Sequence, residues 1–360
     1  KAGLALLFMK IHERFMIGPK SALTIADQYI DSALSLYNSK HKPSATVVDH
    51  QCGFLCSAVG LYTVAAHVKH HKGDQESSRR YMDMLQSHFS YSCFSQYTPS
   101  ELLYGRAGFL YAQKFLSSIF GPSVEPSELS SLISSVFETI IEDGVRNAKD
   151  LRHREVPLLW TFHGKPYLGA AHGMAGILTV LLYYPENCRN DEERIKDTVD
   201  FVLFNSRSAT GNWSILMNDE RDKELVQFCH GAPGMSLLAC KAYQYYKEEK
   251  YLKLAMEIAD YVYSYGPIRK GVGLCHGVSG NAYTFLSVYI LTKDPKYFQW
   301  ALEFAEVCTQ WEERTQRGEF RVPDRPWSLW EGLGGAAWLI ADLLYWDVEV
   351  FKGCPGLTDI

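Results

Sequence analysis

The feature that most narrows what this chain can fold into is a Gly-x-x-Gly that recurs five times. Each copy opens an apolar stretch: GRAG (105–108), GMAG (173–176), GAPG (231–234), GVSG (277–280) and GLGG (332–335). A weaker copy, SAVG (57–60), keeps only the second glycine, and the opening AGLALLF reads as a further copy cut in half. From Gly60 on, successive second glycines lie 48, 68, 58, 46 and 55 residues apart, the spacing of a two-helix unit with loops of variable length. A single such motif marks only a tight turn or a close helix contact. Five at hairpin spacing gather the N-termini of the following helices at one rim.

Within each unit the two helices differ in kind. GILTVLLYY (176–184) and NAYTFLSVYIL (281–291) are apolar almost all round, so they must be buried on every side. EKYLKLAMEIADYVYSYG (249–266) and PKYFQWALEFAEVCTQWEE (295–313) carry one charged face. In the first of these, Leu252, Met256, Ala259 and Tyr263 recur at helical spacing, and Gly266-Pro267 ends the helix. Buried helices alternating with charged-faced ones describe two concentric rings. The predicted fold class is all-α: one domain over residues 1–360, an α/α toroid (double barrel) of seven helical-hairpin repeats with the first truncated. Six outer helices are expected, the seventh falling in a segment upstream of Lys1.

The 47% hydrophobic and 21% charged residues supply an ample core. A formal net charge of −5 with scattered Lys and Arg argues against nucleic acid as a partner. The basic runs KHKPS (40–44) and HVKHHKGD (67–74) read as solvated loop ends. Nine cysteines are too sparse for a disulfide framework, and Cys240 and Cys308 fall inside apolar helical stretches, so a reducing, cytoplasmic setting is expected. No signal peptide is visible; because the chain opens Lys-Ala-Gly, targeting or lipidation signals upstream stay open. The apolar run near 168–185 is short for a membrane span and reads as a buried helix.

The residue before each Gly-x-x-Gly slot is Cys56, Tyr104, His172, His230, His276 or Glu331. All six can exchange protons or bind metal. One place further back, Cys229 and Cys275 stand in neighbouring repeats, which a ring sets side by side. A helix N-terminus favours thiolate, and two Cys with a His make a zinc donor set. If both His230 and His276 bind, the site is closed and structural. If one binds, a position is left for a substrate.

The stretches MLQSHFSYSCFSQYTPSELLYGRAGFLYA, YLGAAHGMAGI, VQFCHGAPGM, IRKGVGLCHGVSGNAYTFL and RVPDRPWSLWEGLGG resemble the eukaryotic branch of the lanthionine synthetase C-like (LanC-like) family, in family order along nearly the whole chain. The resemblance implies a seven-unit α/α double barrel. It implies one zinc held by Cys229, Cys275 and His276, with His230 beside it handling protons. Glutathione would be cosubstrate or ligand, bound through Lys270, Arg321 and Asp324. The implied reaction is addition of its thiol to dehydroalanine or dehydrobutyrine in peptides or proteins, forming a thioether. His172 would be the proton donor, with Tyr104, Arg106 and His230 supporting the enolate. The alternative is a non-catalytic glutathione- and zinc-binding regulator or adaptor. A peripheral membrane contact would come from a segment preceding Lys1.

Departures from the family pattern are also visible. SAVG lacks the Gly and the acidic residue relatives often carry there, and Leu225 stands where bacterial cyclases have an Arg, which weighs against bacterial-type cyclisation. The ending FKGCPGLTDI strays from the family's aromatic-acidic ending, and Cys354 in it reads as incidental.

Overall fold

The computed structural model describes residues 1–12, 16–17, 20–40, 51–121, 127–151, 155–217, 225–347 and 351–360. Most of the run KHKPS lies outside them. Along the chain come α1 (Ala2–Ile11), α2 (Ala22–Lys40), α3 (Ala58–His71), α4 (Gln75–Cys93), α5 (Arg106–Phe120) and α6 (Ser127–Asp150). Then follow α7 (Met174–Leu181), α8 (Pro185–Cys188), α9 (Glu192–Asp200), α10 (Ala232–Tyr246) and α11 (Glu249–Tyr265). The last are α12 (Val278–Thr292), α13 (Pro295–Thr309), α14 (Trp311–Gln316) and α15 (Leu333–Leu344). The one described β ladder pairs Met16–Ile17 with Lys20–Ser21.

The apolar helices α1, α3, α5, α7, α10, α12 and α15 touch one another in that order, and α15 touches α1, closing the inner ring. Around it, α2, α4, α6, α9, α11 and α13 each pack on the inner helix of their own repeat. This is the predicted helical toroid, with seven inner and six outer helices among the described residues. All eight residues of α7 are buried, as an inner-ring helix requires.

Four local expectations are corrected. Residues 168–173 are not helical: they form the rim loop, and only Met174–Leu181 coil. Pro185 opens the outer arm of that hairpin at the first position of α8, and the arm runs in pieces: α8, a short 3₁₀ turn, α9 and a π turn over Phe201–Asn205. On α11 the buried stripe is Tyr251, Leu254, Ala255, Ile258, Ala259 and Val262, so of the four predicted positions only Ala259 belongs to it. Tyr263 instead stacks on Trp300 at 4.3 Å and gives its hydroxyl proton to Glu303 (2.8 Å) on the outer surface. The run HVKHH is the end of α3, with Gly73 at φ +82° turning the chain away.

The second glycine of each repeat has a steric cause. A Cβ on Gly176 would sit 1.9 Å from the Ala170 carbonyl oxygen, and one on Gly280 would sit 1.8 Å from that of Leu274. The loop before each inner helix folds that tightly against the first turn. SAVG dispenses with the first glycine because Ser57 caps α3, accepting from the Val59 N–H at 3.1 Å. The closing segment folds back among the inner helices: Cys354, Pro355, Gly356 and Leu357 are buried, and Tyr111 of α5 donates to Asp359 at 2.6 Å. Among the described residues no helix is long and apolar enough to cross a membrane.

Candidate metal centre

The rim loops interlock through the backbone. Ala171 N–H donates to the Cys229 carbonyl (3.3 Å), Cys229 N–H to that of Cys275 (3.1 Å), and Cys275 N–H to that of Trp330 (2.8 Å). Each of these loops therefore fixes its neighbour's register. Gly169 lies against the Cys229 carbonyl and Gly273 against Trp330 and Glu331, approaches that leave no room for a side chain. The N-terminus of α10 has no side-chain cap of its own; Asn212, from the preceding loop, accepts from the Ala232 N–H at 2.8 Å. Gly231, at φ +101°, lets the chain turn from His230 into that helix.

This stacking brings Cys229, Cys275 and His276 together, with ligand atoms all within 4.8 Å of one another. Cys229 is buried, while Cys275 and His276 are half-buried. Two soft sulfurs and an imidazole at that spacing could hold a metal ion, and the donor set suits zinc. The thiols share protons unequally. The hydrogen bond from Cys275 pulls Cys229 below the ordinary thiol range, with help from Lys270, whereas that bond and burial push Cys275 up. A thiol biased toward thiolate next to an imidazole favours binding of a divalent metal.

Beside this centre stands an aromatic stack. The His172 ring lies parallel to Phe162 at 4.4 Å, and Tyr104 lies parallel beside both, 5.8 Å from Phe162 and 6.1 Å from His172. Tyr167 approaches both His172 and His230 at 5.9 Å, and the two imidazoles are 6.4 Å apart. Phe162 is delivered by a tight turn in which His163 and Gly164 take positive φ. Glu101, 1% exposed, accepts from the backbone N–H groups of Leu103 (3.1 Å) and Tyr104 (2.5 Å). Its Oε2 also lies 2.7 Å from His172 Nδ1.

Sequence reasoning did not pick out Glu101, Phe162 or Tyr167. The signal for Glu101 was present: it stands four residues before its Gly-x-x-Gly, a column otherwise filled by Gly53, Gly169, Gln227, Gly273 and Ser328. Ser328 repeats half of its role, accepting from the Glu331 N–H at 3.1 Å.

Arg106 is held within the scaffold. It is buried, and its guanidinium donates to the carbonyls of Cys93 (2.6 Å), Thr98 (2.6 Å) and Ser95 (2.9 Å) and to Asp143 (2.6 Å). It pins the loop that carries Glu101 and Tyr104, with all three of its nitrogens engaged there. Lys270, Arg321 and Asp324 are exposed, and among the described residues none is in an ion pair. The loops of Lys270 and Arg321 are joined by the Arg321 N–H, which donates to the Arg269 carbonyl at 2.8 Å. Arg325, not singled out from the sequence, acts electrostatically on Cys56 and Tyr104, which are hydrogen-bonded to each other.

Residues 1–355 match the family described as lanthionine synthetase C-like protein. The chain is 32% identical over 347 residues to a zebrafish (Danio rerio) protein named glutathione S-transferase LANCL1, covering 95% of this chain and 80% of that one. It is 36% identical over 233 residues to the LanC-like protein GCL1 of Arabidopsis thaliana, covering 61% of this chain and 51% of that one. Among solved structures, nisin cyclase superposes with a TM-score of 0.54 at 14% identity, covering 88% of this chain and 94% of its own, a likeness of fold.

Proposed function

The chain belongs to the lanthionine synthetase C-like family, and from that premise we propose that it adds the thiol of glutathione to dehydroalanine or dehydrobutyrine in peptides or proteins. The observation that carries this reading is the juxtaposition of a Cys229–Cys275–His276 donor set with the His172–Glu101 pair on the same rim. The name of the zebrafish relative supports glutathione as the thiol. When bound, zinc supplies a Lewis acid that lowers the pKa of a thiol entering its fourth position.

The chain's own residues do the rest. Lys270 and Arg321 extend fixed positive charge toward the carboxylates of glutathione, and Asp324 offers a carboxylate to its amino group. The sulfur lone pair forms the C–S bond at Cβ, the alkene pair moves onto the carbonyl as an enolate, and Cα then takes a proton. His172 delivers that proton. Glu101 holds its Nδ1, so Nε2 faces the reacting carbon, and Phe162 keeps the ring from turning. Tyr104 and His230 stand within the same stack to donate toward the enolate oxygen. The net change is addition of S–H across C=C, with no redox partner required.

The test is zinc-loaded protein with glutathione and a dehydroalanine peptide, followed by mass spectrometry. The thioether adduct is expected, and it should vanish in Cys229→Ala. Glutathione binding without any adduct would instead support a regulator or adaptor that binds both zinc and glutathione.

A further inference from the structure

A cavity of 310 Å³ lies at the rim opposite the metal centre, where the C-terminal ends of α1, α3, α5 and α15 meet residues 351–359. Its volume is at the lower end of the roughly 300–1,000 Å³ range of small-molecule sites. Met9, Phe115, Ile119, Trp338 and Phe351 give it apolar walls. Two carboxylates are set into those walls, and they differ in how they are offset. Asp342 has Lys10 at 2.6 Å and the Tyr283 hydroxyl at 2.6 Å. Asp359 takes the Tyr111 hydroxyl (2.6 Å) and the Gly356 N–H (2.9 Å), both on Oδ1. Among the described residues it is in no ion pair, and Lys10 acts on it only electrostatically.

The remaining charges point the same way. Asp347, exposed at the mouth, is offset by exposed Lys352, of opposite sign, so the lining carboxylates outnumber the lining ammonium groups by Asp359 itself. His67 in the wall adds no positive charge, because burial and the neighbouring histidines His71, His12 and His70 hold its pKa down to about 3. Four helix C-termini converge here, and each presents the negative end of its dipole. An anion would meet uncompensated negative charge. A neutral apolar guest would leave Asp359 as it is.

We propose that this cavity binds a small primary ammonium with an apolar body, the ammonium donating to Asp359 and the body lying against Phe115 and Trp338. The site is independent of the zinc chemistry and lies at the other end of the ring.

The experiment is calorimetric titration of the full chain with 2-phenylethylammonium and two shape-matched controls, 2-phenylethanol and 3-phenylpropionate. The ammonium should bind about tenfold tighter than the alcohol, as a charge-assisted hydrogen bond to a half-buried carboxylate requires, and the propionate more weakly than either. In Asp359→Asn, the ammonium should lose that advantage over the alcohol. Ser118→Phe, which fills the cavity from α5, should weaken all probes while bound zinc stays unchanged. The proposal is overturned if no probe binds, if alcohol and ammonium bind alike to the unmodified chain, if the propionate binds best, or if the preference survives Asp359→Asn. Should that variant fail to fold, the ranking of the three probes and Ser118→Phe decide.

Discussion

Glu101 and His172 are 71 positions apart in sequence and 2.7 Å apart in space, and the carboxylate that meets the imidazole also receives two backbone N–H groups of its own rim loop. The loop geometry and the histidine's orientation are thus set by one side chain. Glu101→Gln keeps an acceptor for the loop but presents a different partner to Nδ1. The expected result is a fall in kcat of about tenfold with KM for glutathione nearly unchanged. His172→Ala should lose about 10²–10⁴-fold in kcat, the usual weight of a proton-transfer group. A parallel loss of glutathione binding in either variant would place the pair in ligand recognition.

Arg106 separates scaffolding from chemistry. Arg106→Ala strands the buried carbonyls of Cys93 and Thr98, the half-buried one of Ser95 and the Asp143 carboxylate, which costs about 3–5 kcal/mol. Denaturant unfolding should register that loss while zinc per chain is retained. A stable variant lacking only activity would return Arg106 to the reaction.

Gly231 joins His230 to α10 with φ at +101°, and a Cβ there would lie 1.7 Å from the Leu225 carbonyl oxygen. Gly231→Ala should therefore destabilise the chain by roughly 2–4 kcal/mol and lower zinc content by displacing Cys229. Unchanged melting together with full zinc occupancy would contradict this.

Burial pushes Asp359 up to about 6 from the usual 3.8. Between those values the folded chain keeps a proton that the unfolded chain has released. The contribution of this group to stability therefore falls as pH rises from about 4 to about 6 and stays lost above that. Asp359→Asn keeps an acceptor for Tyr111 and removes the dependence. Relative to the unmodified chain it should gain about 2–3 kcal/mol on going from pH 4 to pH 7, read by denaturant unfolding at both. A constant difference would show that Asp359 titrates normally.

Much of the toroid was legible because its determinants are local and periodic. The second glycine marks a loop-to-helix approach too close for a Cβ at Gly176 and Gly280 alike, so the repeat shows in one column of residues. The convergence of Cys229 and Cys275 followed from the same register. The outer arm after α7 was not legible as a broken helix, since no glycine or proline stands at Arg189–Asp191, where α8 gives way to α9. On α11 two apolar stripes overlap, and which one faces inward depends on what Tyr263 can reach, Trp300 and Glu303 on the next repeat. Phe162 escaped notice because nothing in a lone aromatic says which ring a loop will lay it against. Arg106 beside the glycines looked available, and only the folded loop shows its nitrogens engaged.

The central claim is that Cys229, Cys275 and His276 hold one zinc that still accepts a thiol. X-ray absorption at the zinc edge tests it on the full chain, with and without glutathione. The expected result is one zinc per chain with two sulfur ligands, rising to three when glutathione is added and absent in Cys229→Ala. Purified chain without zinc, or a sulfur count that stays at two under saturating glutathione, would contradict the account.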